Sequence, residues 1–296
     1  KNGAQIIGKI EFTQKVTALL PEEMTKKYDI ILLMTKQRYN TEIVKSLVPF
    51  LSDIGVICTM QNGLPEPSVA DVIGKDKTIG CTMSWGATFL GKGVCELTSE
   101  PSRDVLTFNI GKYGNNDATL FSYIVELLST MGDVKIEENF AGARWSKLLV
   151  NAAFSGLSVV TGATFGEISK NRTSRLLALE AIKECIDVAE ASNIKIEPIQ
   201  GKDVVKLMDY HSSLKKRLSL FILPYAMKKH YQIKSSMLRD IERGMPCEID
   251  AINGVVSEFG KRVQVPTPIN DKIIEIVHQI ESKELTSNWN NLSLLK

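Results

Sequence analysis

The sequence predicts an α/β domain built on a parallel sheet, followed by an all-helical domain. Three observations carry this. Tyr28 to Met34 is an almost continuous apolar run of strand length, as expected of a strand covered on both faces. Strand-sized and helix-sized segments then alternate as far as residue 84. From about residue 138 only long helical periods remain.

Taken in order, residues 40–51 follow the first strand with Ile43, Val44, Leu47, Val48 and Leu51 on one helical stripe. Val56 to Met60 reads as a second buried strand, 65–73 as a short helix and 78–84 as a third strand. This pitch indicates a doubly wound parallel sheet. Residues 77–110, with the turn Gly91-Lys92-Gly93, read as short strands forming an antiparallel edge on that sheet. Helical periods then cover 138–161, 172–192, 202–228, 246–263 and 267–282, the last two separated by prolines at Pro266 and Pro268. The boundary predicts one domain over 1–137 and a second over 138–296.

Composition is that of an ordinary globular protein, 44% hydrophobic and 24% charged. With 36 basic and 34 acidic side chains the net charge is only +2, and no basic stripe carries interleaved aromatics, which argues against a nucleic-acid partner. No apolar run approaches the ~20 residues of a membrane helix. The five cysteines lie far apart without a CxxC, and the three histidines have no ligand spacing. This suits free thiols in a reducing, cytoplasmic compartment and argues against a zinc site.

In open α/β sheets ligands bind beyond the carboxyl ends of the strands. Here those ends carry Thr35-Lys36-Gln37 and Gln61-Asn62-Gly63, although Asn-Gly also makes an ordinary turn. The segment 144–158 is apolar beyond its start except at Lys147, Asn151, Ser155 and Ser158. At ~100° per residue these four fall within roughly 80° of arc. A polar stripe on a buried helix must meet water, a polar group or a ligand; periodicity alone equally allows Lys147 to reach solvent. Lys234-Ser235-Ser236 resembles a serine-capped helix start, and Pro246 a first helical residue with Glu248 in the first turn, where an acid also suits the helix dipole.

The fragments Trp145-Ser146-Lys147-Leu148-Leu149-Val150-Asn151, Gln61-Asn62-Gly63, Ser235-Ser236-Met237-Leu238-Arg239-Asp240 and Glu248-Ile249-Asp250-Ala251-Ile252-Asn253-Gly254, with Met34-Thr35-Lys36 and Gly86-Ala87-Thr88, together resemble ketopantoate reductase in order and spacing. The resemblance runs from about residue 28 to 282. It implies a Rossmann-like cofactor domain and a helical substrate domain, using NADPH to reduce 2-dehydropantoate (ketopantoate) to pantoate in pantothenate biosynthesis. The family's Gly-x-Gly-x-x-Gly turn, whose amides hold a pyrophosphate, does not occur in the sequence, so the first βαβ unit is expected to be missing. Its upstream residues are expected in the natural protein, because a sheet without its central strands would expose unpaired edges.

By the resemblance Lys147 is the general acid, where an ammonium stabilises the developing alkoxide and delivers a proton. An apolar cleft would suit it to that task by lowering its pKa. Glu248 orients Lys147, accepts from the product hydroxyl and touches the cofactor. Asn151, Ser155, Ser236 and Asn62 face the substrate, Ser236 its carboxylate. Lys36, Ala87 and Asn62 contact the cofactor. The family has asparagines where this chain has Ser155, Phe165 and Ile233, so the reaction is better supported than the particular acid. A related 2-oxo-acid or 3-hydroxy-acid dehydrogenase, or a non-catalytic homologue lacking the phosphate loop, are the alternatives. The expected partners are a small 2-oxo acid and a second copy in a homodimer, with no metal, nucleic acid or membrane.

Overall fold

The computed structural model describes residues 3–199 and 201–295. Strands β1 (Ala4–Gly8) and β2 (Phe12–Gln14) precede β3 (Tyr28–Leu33), α1 (Asn40–Leu47), β4 (Leu51–Thr59), α2 (Glu66–Ile73) and β5 (Thr78–Met83). Then come β6 (Ala87–Gly91), β7 (Val94–Leu97), β8 (Phe108–Lys112), α3 (Ala118–Ser129) and β9 (Val134–Ile136). The main sheet has the order β3-β4-β5-β8-β9, with β3, β4 and β5 parallel, β8 antiparallel to β5 and β9 parallel to β8.

The strand period of two sorts the core onto two faces. Leu33, Ile57 and Leu51 pack with Val44 of α1 and Val69 of α2. Val56, Cys58, Ile79, Cys81, Phe108 and Ile110 pack with Phe121, Ile124 and Leu128 of α3. Helices thus cover both faces, as the near-continuous apolar strands predict. Gly80 and Gly111 face each other across β5 and β8, and a Cβ on either would overlap the ring or Cβ of Phe140. Among the described residues no strand pairs with the outer edge of β3, and Ile30, Ile31 and Leu32 stay half-buried there.

The expected antiparallel edge over 77–110 is corrected in part. β8 does join β5, but β6 and β7 leave the main sheet for a second one of order β2-β1-β7-β6. There β7 pairs parallel with β1, at Ile6↔Cys95 and Ile7↔Glu96, a pairing across some ninety residues that no local pattern encodes.

The helical part holds α4 (Phe140–Thr161), α5 (Phe165–Lys170), α6 (Arg172–Ala191), α7 (Val204–Met208), α8 (Ser213–Ala226), α9 (Ser236–Glu242), α10 (Val255–Val263) and α11 (Pro268–Glu281). The predicted 202–228 helix is therefore two. Asp203 and Ser212 each cap a new start through their side chains, which is stronger than the run of helix formers around them. A five-residue π-helical turn, Asp250–Gly254, precedes α10. The helical core centres on α4 and α6, where Leu149, Ala153, Leu157, Ala178, Ile182 and Cys185 are fully or almost fully buried. The chain divides into two compact units, one reaching Gln61 and resuming over Pro65–Phe140, the other comprising Asn62–Leu64 and the chain from Ala141 onward.

Candidate active site

Helix α4 carries the polar stripe that periodicity anticipates. Lys147 and Asn151 are half-buried and Ser155 is buried, while Leu148, Leu149, Ala152, Ala153, Phe154 and Leu157 around them are fully or nearly fully enclosed. Ser158, the fourth member, is absorbed by structure. Its hydroxyl donates to the Ala163 carbonyl at 2.7 Å, and it accepts from the Ser235 backbone N–H at 3.4 Å. The Ser235 hydroxyl donates to the Ser155 carbonyl, also at 3.4 Å. These contacts seat the start of α9 on the stripe of α4. Their lengths mark them as the weak end of hydrogen bonding, so packing of buried Met237 and Leu238 does most of the holding.

The cap of α9 is Ser235, not Ser236: its hydroxyl accepts from the Leu238 N–H at 3.0 Å, and it is buried. Ser236 is the next residue, exposed at the first helical position. It does not cap the helix, and its side chain is exposed.

Glu248 lies before its helix, not in the first turn. The helical conformation begins beyond Pro246 and Cys247, and the Glu248 carbonyl accepts from the Ala251 and Ile252 N–H groups, both at 3.1 Å. Glu248 is half-buried at the entry to the π-turn. Such turns distort the ladder and concentrate at functional positions.

In the first unit a buried pair of amides ties two strand ends. Gln61 Nε2 donates to Asn40 Oδ1 at 2.7 Å and to the Thr35 carbonyl at 2.6 Å, while Asn40 Nδ2 donates to Gln61 Oε1 at 3.2 Å. The carboxyl ends of β3 and β4 are thereby fixed to one another. Lys36, half-buried, follows Thr35, and Gly63, two residues after Gln61, is left-handed at φ 74°. The turn reading of Asn62-Gly63 is therefore satisfied as well. Ala87 opens β6 in the small sheet and is exposed.

The predicted residues accordingly fall into two sets. Lys36 and Ala87 belong to the first unit; Asn62, Lys147, Asn151, Ser155, Ser236 and Glu248 belong to the second. Within the second, the structure joins Ser155 to the start of α9. Sequence reasoning missed Ser235 as the joining residue, and missed the acids around Glu248 described below. The Ser-Ser pair was the available signal for the first; no local signal marks the second.

A nicotinamide cofactor, which the resemblance implies, is partly accommodated by these residues. Polar side chains stand at the carboxyl ends of the adjacent parallel strands β3 and β4, the position where open α/β sheets bind nucleotides. The amide cradle for a pyrophosphate is not among the 296 residues, which contain no Gly-x-Gly-x-x-Gly. Among the described residues there is no cluster of three or more His, Cys, Asp or Glu able to hold a metal ion, and no helix is long and apolar enough to cross a membrane.

Comparison with known proteins agrees with the fold. The chain folds as a sheet unit and a helical unit, and two family descriptions divide it accordingly. Ketopantoate reductase PanE/ApbA matches residues 1–109, and its C-terminal counterpart matches residues 139–281. The chain belongs to the ketopantoate reductase family, whose members are NADPH-dependent oxidoreductases. A protein of Pyrococcus horikoshii named 2-dehydropantoate 2-reductase is 26% identical over 288 residues, covering 95% of this chain and 85% of its own. One of the same name from Mesorhizobium japonicum is 24% identical, covering 90% and 80%. Among solved structures, a PanE/ApbA family ketopantoate reductase from Ralstonia eutropha superposes with a TM-score of 0.78 at 20% identity, covering 96% and 86%. D-mandelate dehydrogenase, solved with NADH and anilino(oxo)acetate, gives 0.79 at 20% identity, covering 95% and 86%.

Proposed function

We propose that this protein reduces a small 2-oxo acid with NADPH, 2-dehydropantoate being the reference substrate. The observation that carries the reading is the stripe of Lys147, Asn151 and Ser155 on the otherwise enclosed helix α4, with the Ser235–Ser236 start of α9 hydrogen-bonded onto it. In this reading residues 1–137 serve the cofactor and residues 138–296 the substrate. The cofactor supplies a hydride to the carbonyl carbon. Lys147 offers its ammonium to the carbonyl oxygen, stabilises the alkoxide as charge develops and gives up a proton. Glu248 orients that ammonium and accepts from the product hydroxyl. The Ser236 hydroxyl donates to the carboxylate, with Asn151 and Ser155 binding the remainder of the acid. Lys36, Ala87, Asn62 and Glu248 hold the cofactor, Asn62 also reaching the substrate.

The free cysteines support a reducing, cytoplasmic compartment. Self-association into a homodimer is supported by α8, where Leu214, Leu218, Phe221 and Tyr225 form an exposed apolar stripe, and a structural relative from Staphylococcus aureus is described as a dimeric ketopantoate reductase. The test is NADPH consumption, followed by absorbance, across a panel of branched, aromatic and hydroxylated 2-oxo acids, using the full chain. Turnover of at least one member is expected. Folded, cofactor-binding protein that turns over none would refute the proposal.

A further inference from the structure

Glu248 enters its helix between two anchors. Cys247, just before it, donates its backbone N–H to Glu281 Oε1 at 2.7 Å. Asp250, two residues beyond, places Oδ1 2.9 Å from His278 Nε2. The two anchors are themselves joined, because His278 Nδ1 lies 3.0 Å from Glu281 Oε2. Glu281 and His278 are one turn apart near the end of α11. Ionised carboxylates only accept, so a ring bonded to both must carry both protons.

We propose that Glu281 is a positioning residue for Glu248, gripping the backbone just before it, and that doubly protonated His278 extends the grip to Asp250 just after. The proposal rests on the role given to Glu248 above. Its physical basis is the weakness of this helix entry. The Cys247 N–H lies in non-helical chain with no helical acceptor, and the first turn beyond it is a π-turn. The Glu281 carboxylate supplies the missing acceptor. The two halves of the grip are unequal. Glu281 is 18% exposed and bonds the amide of a buried residue, whereas the His278–Asp250 pair is exposed at 45% and 74%. Exposed ion pairs contribute little, so Glu281 holds and His278 modulates.

The groups facing His278 are Glu281 on its own helix and Asp250 on the π-turn; Asp240 of α9 is the further acid facing Cys247. Burial draws the imidazole down, but the hydrogen bond to Glu281 and the charge of Asp250 outweigh it, so its pKa stands above the ordinary value. The ring therefore stays doubly protonated to a higher pH than a free histidine. Above that point it can donate to only one carboxylate, and the two anchors separate.

The experiment compares wild type with Glu281→Ala, Glu281→Gln and His278→Ala, reading amide hydrogen exchange across 247–252 together with kcat and KM. Glu281→Ala is expected to speed exchange of the Cys247 amide about tenfold, the loss of one hydrogen bond. It should lower kcat with little change in the KM for NADPH. Glu281→Gln keeps an acceptor oxygen and should recover most of both. In wild type, protection over 247–252 relative to the base-catalysed intrinsic exchange rate should fall as pH rises through the His278 transition, and His278→Ala should flatten that dependence. Unchanged exchange in Glu281→Ala, or equal losses in the Ala and Gln variants, would overturn the proposal. Should Glu281→Ala not fold, the pH comparison with His278→Ala decides: parallel profiles overturn the grip and divergent ones support it. A wild type inactive on every 2-oxo acid would refute the reductase reading, while the exchange measurements still decide the grip.

Discussion

Phe165 donates its backbone N–H to the carbonyl of Ile233 at 2.9 Å, and Gly166 donates to the carbonyl of Tyr231 at 3.0 Å. The start of α5 is thus laced to the segment that leads into α9. Phe165 and Ile233 are two of the three positions where the chain departs from the asparagines of the family it resembles. The third, Ser155, accepts from Ser235 two residues beyond Ile233. These departures therefore form one connected patch. The Phe165 ring is buried against Phe154 with centroids 5.5 Å apart, while Ile233 remains 41% exposed.

Such a patch offers apolar surface where an asparagine would offer a donor. Apolar branched or aromatic 2-oxo acids should be preferred over hydroxylated ones. Ile233→Asn should shift the ratio of kcat/KM towards the hydroxylated acid by about fivefold or more, since one buried polar contact discriminates by ~1–3 kcal/mol. Phe165→Asn would confound this by opening the core. A competition assay between two acids reads the ratio directly; an unchanged ratio would place the substrate elsewhere.

Lys147→Ala should lower turnover at least about a hundredfold, because general acid catalysis alone is worth ~10²–10⁴-fold. Cofactor affinity should stay near wild type. Lys147→Arg should not rescue, since a guanidinium hardly releases its proton at neutral pH. Were Lys147 only a solvated lysine near the start of α4, truncation would change stability by a few tenths of a kcal/mol and leave the rate alone. Steady-state kinetics with calorimetric cofactor titration separates the two.

Glu184 of α6 caps the start of α11, accepting from the N–H groups of Ile269 at 2.8 Å and Asn270 at 3.0 Å, and from Asn270 Nδ2 at 2.7 Å. Glu184→Ala leaves those donors without an acceptor in a buried site. A loss of about 2–3 kcal/mol is expected in denaturant unfolding. Glu184→Gln, with one acceptor oxygen, should fall between Ala and wild type.

His278 predicts a pH-dependent stability. Its folded-state pKa stands above the unfolded value, through Glu281 and Asp250 acting against burial. The favourable contribution is complete below the ordinary histidine value of about 6.5 and disappears as pH rises through the raised one. The difference in Tm between wild type and His278→Ala should thus be largest in mildly acidic buffer and close towards alkaline pH. A difference that grows with pH would contradict the assignment of charges.

Much of this was legible in the sequence because two periods are simple. Ile57 and Cys58 point to opposite faces of a strand, and both being apolar announces a sheet covered twice. Four polar residues within one arc announce the face of α4. What escaped depends on long-range partners. Nothing near Cys95 tells that it pairs with Ile6, and nothing near Cys247 tells that Glu281 will accept its N–H. Adjacent serines left their roles interchangeable until backbone direction assigned Ser235 to the cap and Ser236 to the open side.

The outer edge of β3 has a practical corollary for the isolated polypeptide. Its peptide groups on that side meet no strand among the described residues, and its side chains are mainly isoleucine and leucine. An edge of that kind is a template for any extended chain that reaches it. A net charge of +2 provides little repulsion between copies in concentrated solution. In the 296-residue polypeptide this six-residue seam is thus open to strand pairing between copies.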